Sequence, residues 1–250
     1  MAEPPVHNHI AKQIFNEQCT KATISRRGLF AGGLALTLAA ASSGTPAFAQ
    51  SSETPPANPD EALQRLMDGN ARYVANEAIN TDHSAGRAAR SRGQQPFAAV
   101  VACADSRVVP ELIFDQGPGD LFVIRVAGNF INEDGLASLE YGAAVLGIKA
   151  IVILGHTSCG AVTATIQSIR DNILPPGHLP NLVNAIRPAV YDVMSDNPAD
   201  LLAAATAQNA KLNAQKAAAA DPILSEFHAS GKIKSAAAIY DIATGKVDFL

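Results

Sequence analysis

The stretch VVACADSRVVP, residues 100–110, leaves an apolar run and then presents a thiol, a carboxylate and a guanidinium at alternate positions, Cys103, Asp105 and Arg107. The run that precedes them, Phe97–Ala102, carries no polar side chain and predicts a strand buried on both faces. In an open parallel sheet, ligands bind beyond the carboxyl ends of the strands. Reactive side chains that follow such a strand directly therefore predict a functional site at that edge.

Two more apolar, β-branched runs, Leu121–Val126 and Ala150–Leu154, have the same character and predict further strands. A helical pattern over Asp134–Ile148 lies between the second and third of these runs, and another follows Gly160. Gly128-Asn129, between the second run and the first helical pattern, predicts a turn. Strands that alternate with helices predict an α/β fold with a central, mainly parallel β-sheet flanked by helices. We also expect an N-terminal helical arm over residues 60–76, a long Ala-rich helix around residues 203–220, and a C-terminal antiparallel edge with a turn at residues 244–245.

Composition limits the classes of function. The chain has 250 residues, 48% of them hydrophobic, which is ample material for a core. Its net charge is −4, and no run of lysine and arginine follows the first fifty residues, which argues against a nucleic-acid partner.

The N-terminus predicts an export signal. Arg26 and Arg27 precede an uncharged, largely apolar run over residues 28–41, and Ala47-Phe48-Ala49 has the A-x-A pattern of a cleavage site. The arginine pair is of the twin-arginine type. We expect a signal peptide over residues 1–49, a linker over 50–59 and a catalytic domain over 60–250. The mature protein is then exported, periplasmic or secreted, and not embedded in a membrane; an uncleaved membrane anchor is the alternative.

A second group of metal-ligating side chains lies in HTSCG, residues 156–160. His156 follows the predicted Ala150–Leu154 strand, and Cys159 lies three residues further on. Together with Cys103, these residues place two thiolates and an imidazole at the ends of two strands. Three such ligands leave the fourth position of a tetrahedral Zn²⁺ open, as in catalytic zinc sites. A disulfide between Cys103 and Cys159 would also explain the thiols, although not His156 or the charged pair.

The segments CADSRVVPELIFDQGPGDLFVIRVAGN, SLEYGAAVLGIKAIVILGHTSCGAV and YDIATGKV resemble the β-class carbonic anhydrases, from the helix at Asp60 to the C-terminus. The resemblance implies one Zn²⁺ per subunit, held by Cys103, His156 and Cys159, and reversible hydration of CO₂ to bicarbonate and a proton by zinc-bound hydroxide. It implies that Asp105 and Arg107 form a catalytic dyad beside the metal. It places a substrate-binding glutamine at Gln94 and implies assembly into dimers or larger oligomers.

Arg107 has a chemical reason to accompany Asp105. A carboxylate two residues from a metal ligand can itself bind the metal, and a bidentate pair with arginine holds it away. The alternative is that the pair only braces the loop. Three other functions remain open: hydrolysis of CS₂ or COS on the same ligands, a non-catalytic zinc- or anion-binding protein, and a dithiol redox protein.

Overall fold

The structure, a computed structural model, describes residues 54–84 and 86–250. The predicted signal peptide and the start of the linker lie outside the described residues. Within the described ranges, no helix combines the length and the apolar character that crossing a bilayer requires.

The helices and strands follow the order that the apolar runs predict. They are α1 (Pro59–Ala75), α2 (Arg87–Arg90), β1 (Ala98–Ala102), α3 (Pro110–Ile113), β2 (Leu121–Arg125), α4 (Glu133–Tyr141), β3 (Ala150–His156), α5 (Gly160–Asp171), α6 (Leu179–Met194), α7 (Leu201–Ala219), α8 (Ile223–Ala229), β4 (Lys234–Tyr240) and β5 (Val247–Phe249). A π-helical turn, Gly142–Leu146, continues α4.

The strands form one five-stranded sheet in the order β2-β1-β3-β4-β5. The β1–β2, β1–β3 and β3–β4 pairs are parallel, and β4–β5 is antiparallel. The predicted α/β fold with a C-terminal antiparallel edge is therefore confirmed. Two predicted bounds were wrong: β3 runs on through His156, and the helix predicted to reach Ile148 ends as an α-helix at Tyr141. The short α3 had not been predicted.

Burial on both faces explains why the sequences of the two central strands, β1 and β3, are continuously apolar. Every residue of β1 and β3 is buried. In β1, Ala98, Val100 and Ala102 belong to the core on one face of the sheet, whereas Ala99 and Val101 belong to the core on the other. A strand covered on both faces has no solvent side, so alternation of polar and apolar residues is absent.

Helix α1 packs against other parts of its own chain. Asn70 is buried and donates from Nδ2 to the Ile113 and Gly245 carbonyls, at 3.0 and 2.9 Å. Arg72 pairs with the buried Asp115 carboxylate, Nε to Oδ2 at 2.6 Å. The helix expected to act as an arm is thus fixed to its own chain, at the end of α3 and at the turn before β5.

Candidate metal centre

The carboxyl ends of β1 and β3 bring the predicted metal ligands together. Ala102 is paired with Leu154, so Cys103, which directly follows β1, lies beside the end of β3, where His156 is the last residue. Ser158 has a φ of +58°, and the tight turn it makes returns Cys159 to the same point, at the N-cap of α5. The two sulfurs and a His156 ring nitrogen all lie within 4.8 Å of one another, and all three residues are buried.

This cluster fits a metal ion. Two sulfurs on a tetrahedral metal, each with a bond of about 2.3 Å, lie about 3.8 Å apart, which agrees with the observed spread. Both thiols are free, so the disulfide alternative is not what the structure shows. His156 Nε2 is buried without a hydrogen-bond partner, while Nδ1 lies 2.9 Å from the Thr157 carbonyl. A Nδ1–H bond to that carbonyl leaves Nε2 with a free lone pair, as ligation requires.

The sulfurs carry negative charge that attracts a cation. Contact with the Cys159 thiol lowers the pKa of Cys103 to about 4, against the cost of burial, and the backbone N–H groups of Gly128 and Asp105 add to the effect. They lie 3.3 and 3.4 Å from Cys103 Sγ. The same sulfur contact and burial raise the pKa of Cys159, so the two sulfurs share one proton and retain a thiolate. Thiolate is the form that binds metal.

Asp105 stands at the edge of this cluster. Its Oδ2 lies 4.0 Å from His156 Nε2, the atom aimed at the metal position. Arg107 donates to both carboxylate oxygens, from Nε to Oδ1 at 3.0 Å and from Nη2 to Oδ2 at 2.8 Å. Its backbone N–H also donates to Oδ1. These hydrogen bonds hold the pKa of Asp105 well below its usual range, so the carboxylate is ionised at neutral pH.

Two further residues support the centre, and neither was predicted from the sequence. Arg125, at the end of β2, donates to the Cys103 carbonyl at 3.0 Å and to the Asp105 carbonyl at 2.6 Å. The sequence feature that could have indicated Arg125 is its charge at the end of the apolar β2 run, which lies next to the strand that Cys103 follows. Gly128 was predicted only as part of a turn, yet its N–H donates to Cys103 Sγ. An added Cβ there would lie 2.4 Å from Ile186 Cδ1 and 3.1 Å from Ala161 Cβ, so alanine would require the buried Ile186 side chain to move, and the φ of +85° also favours glycine.

The structure does not bring Gln94 to the centre within one subunit. Gln94 is exposed and precedes β1, whereas Cys103 follows it. The five residues of β1 rise about 16 Å, so the two residues lie at opposite ends of the strand.

Comparisons with known proteins agree with this geometry. Residues 98–247 match the family model described as Carbonic anhydrase. Carbonic anhydrase 2 of Mycobacterium tuberculosis is 46% identical over 140 residues, which are 54% of this chain and 66% of that protein; the chain thus spans just under two thirds of this relative. The solved structure of the β-carbonic anhydrase CcaA is 30% identical, with a TM-score of 0.58, covering 75% of this chain and 91% of that one. A tetrameric β-carbonic anhydrase of Sordaria macrospora is similar in fold, with a TM-score of 0.61 at 22% identity, covering 75% and 96%.

Proposed function

The chain belongs to the carbonic anhydrase family, in its β class, and we propose that it catalyses the reversible hydration of CO₂ to bicarbonate and a proton. The observation that carries this proposal is the buried cluster of Cys103, His156 and Cys159, with the Asp105 carboxylate at its edge. The cluster offers three ligands and leaves one position for a small molecule, as catalytic zinc sites do.

We further propose that the metal is one Zn²⁺ per subunit. Two sulfurs and one imidazole are donors that suit zinc rather than the oxygen-seeking Mg²⁺ or Ca²⁺. When bound, zinc supplies Lewis-acid chemistry, lowering the pKa of water toward neutrality; the magnitude is established for carbonic anhydrase itself.

The chain's own residues direct the reactants. Asp105 offers an ionised carboxylate that accepts a hydrogen bond from the attacking oxygen and orients its lone pair toward CO₂. Arg107 holds both oxygens of that carboxylate and keeps it from becoming a fourth ligand.

A direct test assays purified protein lacking residues 1–49 for hydration of CO₂ and for hydrolysis of COS and CS₂. We expect CO₂ hydration to dominate. Replacement of a metal ligand, Cys159→Ser, should abolish it, whereas the neighbouring Ser158→Ala should retain it, because Ser158 contributes a turn and no ligand. Faster turnover of COS or CS₂ would support the alternative hydrolase. Zinc binding without any turnover would support a non-catalytic protein.

We also propose that the protein works as a dimer or larger oligomer in which Gln94 reaches the centre of a second subunit. The support is the position of Gln94, at the end of β1 away from its own Cys103. A mixed oligomer tests this. Subunits with Gln94→Ala keep a metal, and subunits with Cys159→Ser keep the glutamine. Their mixture should recover activity that neither has alone. Full activity of Gln94→Ala by itself would place Gln94 outside the site, and no recovery in mixed oligomers would contradict a contribution from a second subunit.

Export by the twin-arginine route is the last part of the proposal. A folded, metal-loaded centre would cross the membrane with its thiols already protected from oxidation. Replacing both Arg26 and Arg27 with lysine should stop export of the full chain. Undiminished export would point to the general secretory route instead.

A further inference from the structure

Helix α7 carries two asparagines on its buried side, among four alanines and Thr206. Asn209 and Asn213 are 1% and 7% exposed, one helical turn apart, in a helix with nine alanines among its nineteen residues. A buried amide costs free energy unless it is hydrogen-bonded, so both side chains need partners. Their partners show what this part of the helix does.

The partners lie in the loop of residues 128–131, between β2 and α4. Asn209 Nδ2 donates to the Gly128 carbonyl at 2.9 Å, and Asn213 Oδ1 accepts from the Ile131 N–H at 2.8 Å. Asn213 Nδ2 donates to the side-chain Oδ1 of Asn209 at 3.2 Å, which links the two side chains, and to the Asn209 backbone carbonyl at 2.9 Å. Lys216, further along α7, donates to the Ile131 carbonyl at 2.8 Å. The 128–131 loop is therefore bound to α7 at both ends.

The other side of the same peptide segment faces the metal centre. Gly128 accepts from Asn209 through its carbonyl and donates from its N–H to Cys103 Sγ at 3.3 Å. One glycine thus connects an amide on α7 to a sulfur of the cluster. Ile186 and Ala161 pack against its Cα, at 2.4 and 3.1 Å from where a Cβ would lie, which leaves the loop little room to shift.

We propose that Asn209 and Asn213 are positioning residues for the metal centre, acting through the 128–131 loop to hold the Gly128 N–H on Cys103 Sγ. This rests on the proposed function, because it assigns the two residues a part in holding the metal. Hydrogen bonds from outside the ligand set orient metal ligands, and their loss typically weakens metal binding or activity 10- to 100-fold. We therefore expect Asn209→Ala to release the metal faster and to change the environment of the Cys103 sulfur.

The experiment uses the zinc-loaded protein and a cobalt-loaded form. Zinc release to a chelator should be about tenfold or more faster in Asn209→Ala than in wild type. The thiolate-to-cobalt charge-transfer band should shift, because the N–H···S bond stabilises the sulfur lone pair. A role in stability alone would leave this band unchanged.

The matched control is Asp200→Ala, at the N-terminus of α7. Asp200 Oδ1 caps α7 by accepting from the Ala203 N–H at 2.9 Å, so its loss destabilises the same helix without touching the 128–131 loop. We expect a lower melting temperature with wild-type release rate and cobalt spectrum. Equal changes in Asn209→Ala and Asp200→Ala, or no change in Asn209→Ala, would overturn the proposal.

Asn213→Ala provides a second test if Asn209→Ala does not fold, with the same expected direction. If neither folds, hydrogen exchange of the wild-type protein decides. Removing zinc should then raise exchange in the 128–131 loop and in α7 around residues 209–213 together, and a change confined to the loop would contradict the proposal. Failure of the proposed function looks different, because wild type itself would then lack stoichiometric zinc or CO₂ hydration.

Discussion

Arg107 donates two hydrogen bonds to the Asp105 carboxylate, from Nε to Oδ1 at 3.0 Å and from Nη2 to Oδ2 at 2.8 Å, and Asp105 Oδ2 lies 4.0 Å from His156 Nε2. Both carboxylate oxygens are thus occupied although a cluster of metal ligands lies beside them. The planar guanidinium matches the carboxylate in a way that a single ammonium group does not. We propose that this relationship decides whether the centre is open to water or closed by its own carboxylate.

Arg107→Ala should close the centre. Without its partner, the pKa of Asp105 moves back toward the ordinary range near 4, which still leaves the carboxylate ionised at neutral pH. We expect near-stoichiometric zinc, loss of most CO₂ hydration, and Asp105 as a fourth ligand in a crystal structure of the variant. Arg107→Lys should restore only part of the activity.

Asp105→Asn added to Arg107→Ala serves as the control. The amide is a weaker ligand, so water should return to the centre without regaining a carboxylate acceptor. Wild-type turnover in Arg107→Ala, or an Asp105 that points away from zinc still carrying water, would show that the pair only braces the loop.

Gly128→Ala should damage the centre far more than Gly147→Ala. Both glycines have positive φ, +85° and +74°, so alanine costs about 1–2 kcal/mol of backbone strain at each. Only Gly128 faces a neighbour, Ile186 Cδ1 at 2.4 Å from the new Cβ, whereas Gly147 has nothing within 4 Å. Chemical unfolding and zinc analysis should show metal loss in Gly128→Ala alone. Equal behaviour of the two variants would contradict the packing argument.

Residue patterns could predict the sheet and the ligands because both depend on short, local signals. The apolar β1 and β3 runs predict strands buried on both faces. Cys103 directly follows β1, and His156 is the last residue of β3. The supporting contacts are not local. Asn209 contacts Gly128 across 81 residues of sequence, and nothing near either residue indicates the other. An asparagine pair four residues apart in an alanine-rich helix was the available signal.

Sequence spacing also cannot place Gln94. It lies nine residues before Cys103, but an extended strand of five residues separates the two in space. The π-helical turn after α4 was likewise unpredictable from apolar periodicity, since its residues fit an ordinary helix equally well.

Asp115→Asn should destabilise the subunit by about 3 kcal/mol, because it leaves Arg72 beside a neutral partner and breaks a largely buried ion pair. Burial opposes ionisation of Asp115, but the hydrogen bonds from Arg72 and from the Asn80 and Ile79 N–H groups outweigh it and lower its pKa. The control is Asp60→Asn, at an exposed pair with Lys234, which should change the free energy of unfolding by less than about 1 kcal/mol.

The same pair predicts a pH dependence with a defined sign. A carboxyl whose pKa is lower in the folded state stabilises the fold above its unfolded pKa, near 4, and loses that contribution as pH falls through the folded value. The difference in unfolding free energy between wild type and Asp115→Asn should therefore be constant from pH 6 to 8 and shrink below about pH 4. A difference that grows on acidification would contradict this assignment.

The most direct measurement follows bound zinc and CO₂ hydration in the same samples while zinc is removed by a chelator and then added back. The described residues of the chain contain one three-ligand cluster, formed by Cys103, His156 and Cys159. Activity should therefore rise in proportion to bound zinc and level off at one zinc per chain. Hydration that persists in the zinc-free protein, or full zinc occupancy without hydration, would contradict the account.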